Sequence, residues 1–118
     1  MKVEGVGRFR QGSGFWEAEP ENLGGSLLSI ESPTINASHA ARAKSICEDW
    51  VAILEVCYQF IESHRDEYDL CAQTFENPNV FIEEEDIWSV YFDTEVDAQA
   101  IVGVEFHGQF PFQLIVGD

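Results

Sequence analysis

At 118 residues the chain has room for one domain with a real core and not for two. A hydrophobic fraction of 45% and an aromatic fraction of 13% exclude disorder, and no apolar run reaches the roughly 20 residues that cross a membrane. Six Lys and Arg against 22 Asp and Glu give a net charge of −16, which excludes the basic patch that a phosphate backbone requires. Met1-Lys2-Val3-Glu4-Gly5 leads into mixed polar sequence without the apolar stretch of a secretory signal, so the expected location is cytoplasmic.

In chain order, Lys2–Arg10 alternates weakly and predicts a partly exposed strand. Gln11-Gly12-Ser13-Gly14 is a turn by composition, and Phe15–Glu19 alternates aromatic with acid until Pro20 ends it, which predicts an edge strand. Asn22-Leu23-Gly24-Gly25 turns again before a third strand at Ser26–Glu31. Three short strands with tight connections predict an antiparallel meander.

The stretch from Ala37 to about Phe75 is helical by periodicity, since Ala43, Ile46, Cys47, Trp50, Leu54, Cys57 and Ile61 recur at steps of three and four. Asn36 or Ser38 supplies the cap. A straight helix from 38 to 70 would run to about 50 Å at 1.5 Å per residue, too long for this domain. The stripe lapses at Ser63–Asp66, which predicts a bend there and a short second helix carrying Tyr68, Cys71, Ala72 and Phe75, closed by Asn77-Pro78-Asn79.

Val80-Phe81-Ile82 begins a fourth strand, Glu83-Glu84-Glu85-Asp86 forms a hairpin tip, and Ile87–Phe92 returns as a fifth. Trp88, Val90 and Phe92 share one face of that fifth strand, and Ile87, Ser89 and Tyr91 the other. After a turn at Asp93–Asp97, Ala98, Ala100, Val102, Val104 and Phe106 alternate with polar residues and glycine, the clearest strand signal in the chain. Gly108-Gln109-Phe110-Pro111 turns into a last strand, Phe112–Val116. Three strands, a helical layer, then four strands predict an α+β fold with a mostly antiparallel sheet. One long, bent helical segment covers one face, with Trp50, Leu54, Cys57 and Ile61 set against Val102, Val104 and Phe106.

The charge is unevenly spread. Residues 1–65 hold all six basic residues and nine acids, a net of −3, whereas residues 66–118 hold 13 acids and no Lys or Arg, a net of −13. Self-repulsion of that kind costs stability, which invites a functional reason beside the plainer one of solubility.

Catalytic motifs are missing: no GxSxG, HExxH, P-loop or dinucleotide fingerprint occurs. His39, His64 and His107 share no ligand spacing, and the adjacency of Ser63 and His64 is not how a nucleophile meets its base. Asp93-Thr94-Glu95-Val96-Asp97 lacks the glycine and glutamate of a calcium loop, with Ala98 and Val104 at those positions. Cys47, Cys57 and Cys71 lie ten and fourteen residues apart and are expected to be small buried hydrophobes. No enzyme, cofactor or metal is expected.

A small, single-domain, strongly acidic α+β chain without catalytic motifs resembles the immunity proteins of bacterial polymorphic and contact-dependent toxin systems. The resemblance spans residues 1–118 in size, charge and strand–helix–strand order and rests on no diagnostic motif. It implies a tight cytoplasmic complex with a basic toxin domain, nucleases among them, and no contact with nucleic acid or membrane. A DNA-mimicking regulator or an acidic adaptor is the alternative. The expected partner-binding residues are the two acidic tips, Glu83, Glu84, Glu85 and Asp86 at one and Asp93, Glu95 and Asp97 at the other, with Trp88 or Tyr91 as an aromatic anchor. Strand five separates the tips by about 20 Å. The Asp93–Asp97 tip is preferred, because its three alternating acids can share one face.

Overall fold

Alternation decides the sheet. In Ile101–His107 the buried residues Val102, Val104 and Phe106 point one way, and the same alternation buries Trp88, Val90 and Phe92 in Ile87–Asp93. The computed structural model describes residues 1–117. It contains strands β1 (Lys2–Val3), β2 (Gly7–Arg8), β3 (Arg10–Gln11), β4 (Trp16–Ala18) and β5 (Leu28–Ile30), then helices α1 (Ala37–Glu48) and α2 (Trp50–Ser63). Strands β6 (Glu76–Ile82), β7 (Ile87–Asp93), β8 (Ile101–His107) and β9 (Phe110–Gly117) follow. Single 3-10 turns occupy Glu21–Leu23 and Asp97–Gln99.

Seven strands form one sheet in the order β3-β4-β5-β6-β7-β8-β9, and β1 and β2 form a separate small hairpin. The fold is α+β, with three main-sheet strands before the helices and four after them. Every neighbouring pair of the main sheet is antiparallel except β5 and β6, which run parallel with Leu28 opposite Val80, Ser29 opposite Phe81 and Ile30 opposite Ile82. A parallel pair needs a long crossover, and here both helices lie in it.

Asn36 caps α1: its side chain accepts the His39 N–H at 2.8 Å, and its own N–H donates to His39 Nδ1 at 3.2 Å. The helical layer ends where the stripe lapses, α2 stopping at Ser63 before the turns at 64–69, but it also breaks earlier, at Asp49. The apolar stripe continues through Trp50, so periodicity carries no mark of this break. Its effect is geometric, since α1 packs against β6 and α2 against β8 and β9. A rod from 37 to 63 would run about 40 Å at 1.5 Å per residue, nearly the whole 41 Å long dimension of the molecule. Two shorter helices instead follow a twisted sheet.

No second helix carries Tyr68 to Phe75. The chain leaves α2 through turns at 64–69 and runs without helix or strand to β6. Its backbone groups are satisfied by side chains instead. Arg65 donates to the carbonyls of Ala72 (2.6 Å) and Leu70 (3.3 Å), and the Gln99 amide accepts from Cys71 N–H and donates to the Asp69 carbonyl, both at 2.9 Å. Asn77-Pro78-Asn79 does not terminate a helix but lies within β6, where Asn77 takes a φ of 53° and the pairing with β7 shifts register. A proline is tolerated at such an irregularity. Asn79 Oδ1 accepts the Leu27 N–H at 2.9 Å, just ahead of the parallel ladder.

Three smaller expectations also change. Lys2–Arg10 divides among β1, β2 and β3, with Gly5 at φ 80° turning the hairpin against the Lys44 side chain. Phe110 and Pro111 belong to β9, and the strand at 97–107 starts only at Ile101. Leu54 is partly buried, whereas Ile46, Cys57 and Ile61 are fully enclosed with Val102, Val104 and Phe106. Ile61→Ala should therefore cost about 2 to 5 kcal/mol in a urea titration. Leu54→Ala should cost clearly less, and equal losses would show that α2 is rotated from the packing described here.

Candidate functional site

The helices cover one face of the sheet and leave the other open. Across the strands, Arg10, Glu17, Ser29, Phe81, Ser89, Glu105 and Gln113 form one row on the open face. Asn79, Tyr91, Gly103 and Ile115 form the next. A groove of about 470 Å³ runs along β6 and β7, lined by Glu31, Asn79, Phe81, Glu83, Ser89, Tyr91, Asp93 and Ile101.

Its floor is aromatic. The Phe81 and Tyr91 rings meet edge to face, with centroids 5.3 Å apart at 90°. The Tyr91 ring lies over Gly103, where a Cβ would come within 2.6 Å of it. The missing side chain at 103 is thus what lets the ring lie down on the sheet. Burial pushes the Tyr91 phenol up, Ser89 opposes that, and the carboxylates of Glu83 and Glu105 add to the rise.

The groove draws one carboxylate from each acidic tip, Glu83 at one end and Asp93 at the other. The tips are not alternatives in this respect. Glu31 joins them because the parallel pair sets its backbone beside β6, with Glu31 N–H donating to the Ile82 carbonyl at 2.8 Å. No ion pair or side-chain hydrogen bond engages the carboxylate of Glu31 or Glu83 among the described residues, while Asp93 accepts from Asn77 Nδ2 at 3.2 Å.

The other expected binding residues are placed differently. Glu84, Glu85 and Asp86 are exposed, and their tip is anchored from behind: Arg42 Nε donates to the Glu85 carbonyl at 2.7 Å, and Gly108 N–H to the Asp86 carbonyl at 2.7 Å. Trp88 is 2% exposed, stacked on Phe106 at 4.1 Å beneath the helices. Its indole N–H donates to the Gly108 carbonyl at 2.8 Å and Arg42 lies over its ring, so it is a core residue and not a surface anchor. Asp93, Glu95 and Asp97 do not form one outward set. Glu95 turns back and accepts the Gln73 N–H through both oxygens, at 2.9 and 3.0 Å, and the Thr74 N–H at 3.3 Å. Asp97 sits exposed in its 3-10 turn. Glu31, Phe81 and Gly103 were not among the expected residues. The alternation of Phe81 with Val80 and Ile82 was the available signal for Phe81, whereas Glu31 reaches the groove only through the β5–β6 pairing.

Ser63 Oγ does lie 3.0 Å from His64 Nδ1, with Glu67 3.9 Å from the other ring nitrogen. Both Ser63 Oγ and His64 Nδ1 also lie against the Phe60 carbonyl, at 3.1 and 2.9 Å, and the imidazole stacks on the Phe60 ring. That carbonyl also accepts the His64 backbone N–H at 3.1 Å, so the group closes the last turn of α2 as a C-terminal cap. Among the described residues no three His, Cys, Asp or Glu converge as metal ligands.

Cys47 and Cys57 are buried, and burial pushes their thiols up to about 11 and about 12, Glu48 adding to the rise at Cys47. Cys71, expected to be buried, is exposed on the irregular segment. No family model matches the chain, and neither a curated protein nor a solved structure matches it.

Two outcomes follow from these placements. In the native protein one thiol should react rapidly with a thiol reagent and two only after unfolding, with Cys71→Ser removing the rapid phase. Two rapid phases in the wild type would contradict the packing of α1 or α2. Glu95 is held below its ordinary range chiefly by the Gln73 N–H, with Thr74 assisting. A depressed carboxyl contributes stability that is complete above its unfolded value and lost as pH falls through the folded one. Glu95→Gln should therefore lower the melting temperature at pH 7, and the gap to wild type should close as the pH drops below about 4. A gap that is independent of pH would assign the loss to something other than the charged hydrogen bonds.

Proposed function

We propose that this chain is a non-catalytic binding protein that neutralises a cognate bacterial toxin by covering a basic surface of it, as immunity proteins do. The observation that carries the reading is the placement of unneutralised charge. Among the described residues only five ion pairs form, two of them through histidine, and Glu31, Glu83, Glu84, Glu85 and Asp97 belong to none. Three of the six basic residues, Arg10, Arg42 and Arg65, are already engaged within the chain. Residues 66–118 supply no Lys or Arg, and the only arginine pair that reaches their carboxylates among the described residues is Arg42 with Asp86. A basic partner supplies the missing cations, speeds encounter through the long-range field, and relieves repulsion that the free chain bears. An uncovered sheet face and two acidic tips give such a partner a broad surface to meet.

Co-expression tests the reading. The gene product encoded directly upstream should arrest growth when expressed alone, and this chain expressed beside it should restore growth. The purified pair should form a stoichiometric complex whose association slows by about tenfold or more as salt rises from low to ~0.5 M. Growth arrest that this chain leaves untouched, or an association rate indifferent to salt, would overturn it. A complex formed only with a DNA-binding protein that is not toxic would favour the DNA-mimic alternative.

A further inference from the structure

Resting on the reading just given, we infer that the open-face groove is where the partner is read, and that it seats an arginine side chain with its guanidinium against the Tyr91 ring. Three independent features of the groove point there. The first is a flat aromatic platform: Tyr91 lies down on Gly103 and is braced by the edge contact with Phe81, so its outer face lines the groove. A ring already fixed in place loses little freedom when a planar cation stacks on it.

The second feature is the distribution of charge. Glu31 and Glu83 stand at one end, Asp93 at the other, and none of them meets a cation among the described residues. A cation lying over Tyr91 is thus flanked by carboxylates along the groove, and a guanidinium has donors enough to reach them in a planar fork. The third is an apolar lip. Ile101 lines the groove and is 40% exposed, which gives a methylene stem a surface to lie against. Lysine would satisfy the charge, but its compact ammonium gains less from the ring face than a guanidinium does.

The test uses blocked tetra-arginine and tetra-lysine peptides at low salt, titrated into the isotopically labelled chain and followed by amide chemical shifts. Perturbations should concentrate on Phe81, Ser89, Tyr91 and Gly103, and the arginine peptide should bind about 3- to 30-fold more tightly, the range of a ring–cation contact. Tyr91→Leu should remove that preference, whereas Phe110→Leu, an exposed aromatic outside the groove, should keep it. Should Tyr91→Leu disturb the fold, the double variant Glu83→Gln with Asp93→Asn alters only exposed groove positions and should weaken both peptides. Equal binding of the two peptides, or shifts spread over Glu48, Glu55 and Glu62 of the helices, would overturn the groove assignment and leave the acidic-binding reading standing. Failure of both peptides to bind would remove both readings.

Discussion

Three residue pairs hold the two halves of the sheet together: Leu28 with Val80, Ser29 with Phe81 and Ile30 with Ile82. This short parallel ladder is the constraint on which the rest depends. The strands before it and the strands after it are antiparallel meanders that need only tight turns. Joining them side by side in the same direction requires the chain to travel back the length of the sheet before β6 can begin. Residues 31–75 make that journey, and the helices are how they make it while hydrogen-bonded. Four of the six ladder side chains, Leu28, Ile30, Val80 and Ile82, are fully buried under the helical layer. The crossover thus covers the seam that it exists to create.

A single crossover lies on a single face. The uncovered face of the sheet is therefore a product of the topology, and the groove lies directly over the seam and its neighbour β7. Glu31 and Glu83 come together there because each directly follows its strand, β5 before the crossover and β6 after it, and those strands end side by side at Ile30 and Ile82. The end of the crossover is secured differently from its beginning. Asn36 and His39 cap α1 through a reciprocal pair, whereas the exit from α2 depends on Arg65, Glu95 and Gln99 reaching across to backbone groups. Among the described residues no buried side-chain nitrogen or oxygen is left without a partner. Glu95, an acid that looked free for a partner, is instead taken up by the exposed backbone of this exit.

Strands β7 and β8 and the amphipathic helices were legible because alternation at two and recurrence at three and four are direct images of burial. The segment after α2 misled for the same reason. Tyr68, Cys71, Ala72 and Phe75 have helical spacing, yet Leu70 and Ala72 are the buried pair, and Cys71 faces water. Pro78 reads as a stop in a linear pattern and is tolerated in β6 only because the ladder is already irregular there. Trp88 was correctly phased with Val90 and Phe92, which the burial of those residues places in the core, so its reading as an anchor conflicted with a pattern already visible. The groove itself was not legible. It needs Gly103 under Tyr91 and Glu31 beside β6, and both are facts of pairing between segments far apart in the chain.

The distance along the chain across the seam has a consequence for how the molecule comes into being. Leu28 waits for Val80, so the strand that carries it emerges during synthesis with one edge unpaired and its apolar residues uncovered until the crossover and β6 have followed. Closing a loop of that size costs chain entropy before any contact repays it, which places the joining of the halves late in folding and slows it relative to the hairpins on either side. The C-terminal meander, built from adjacent strands, has no such delay. During that interval the bare strand is exposed to unwanted pairing with other chains, and the mutual repulsion of strongly negative chains is then a form of protection as well as a cost.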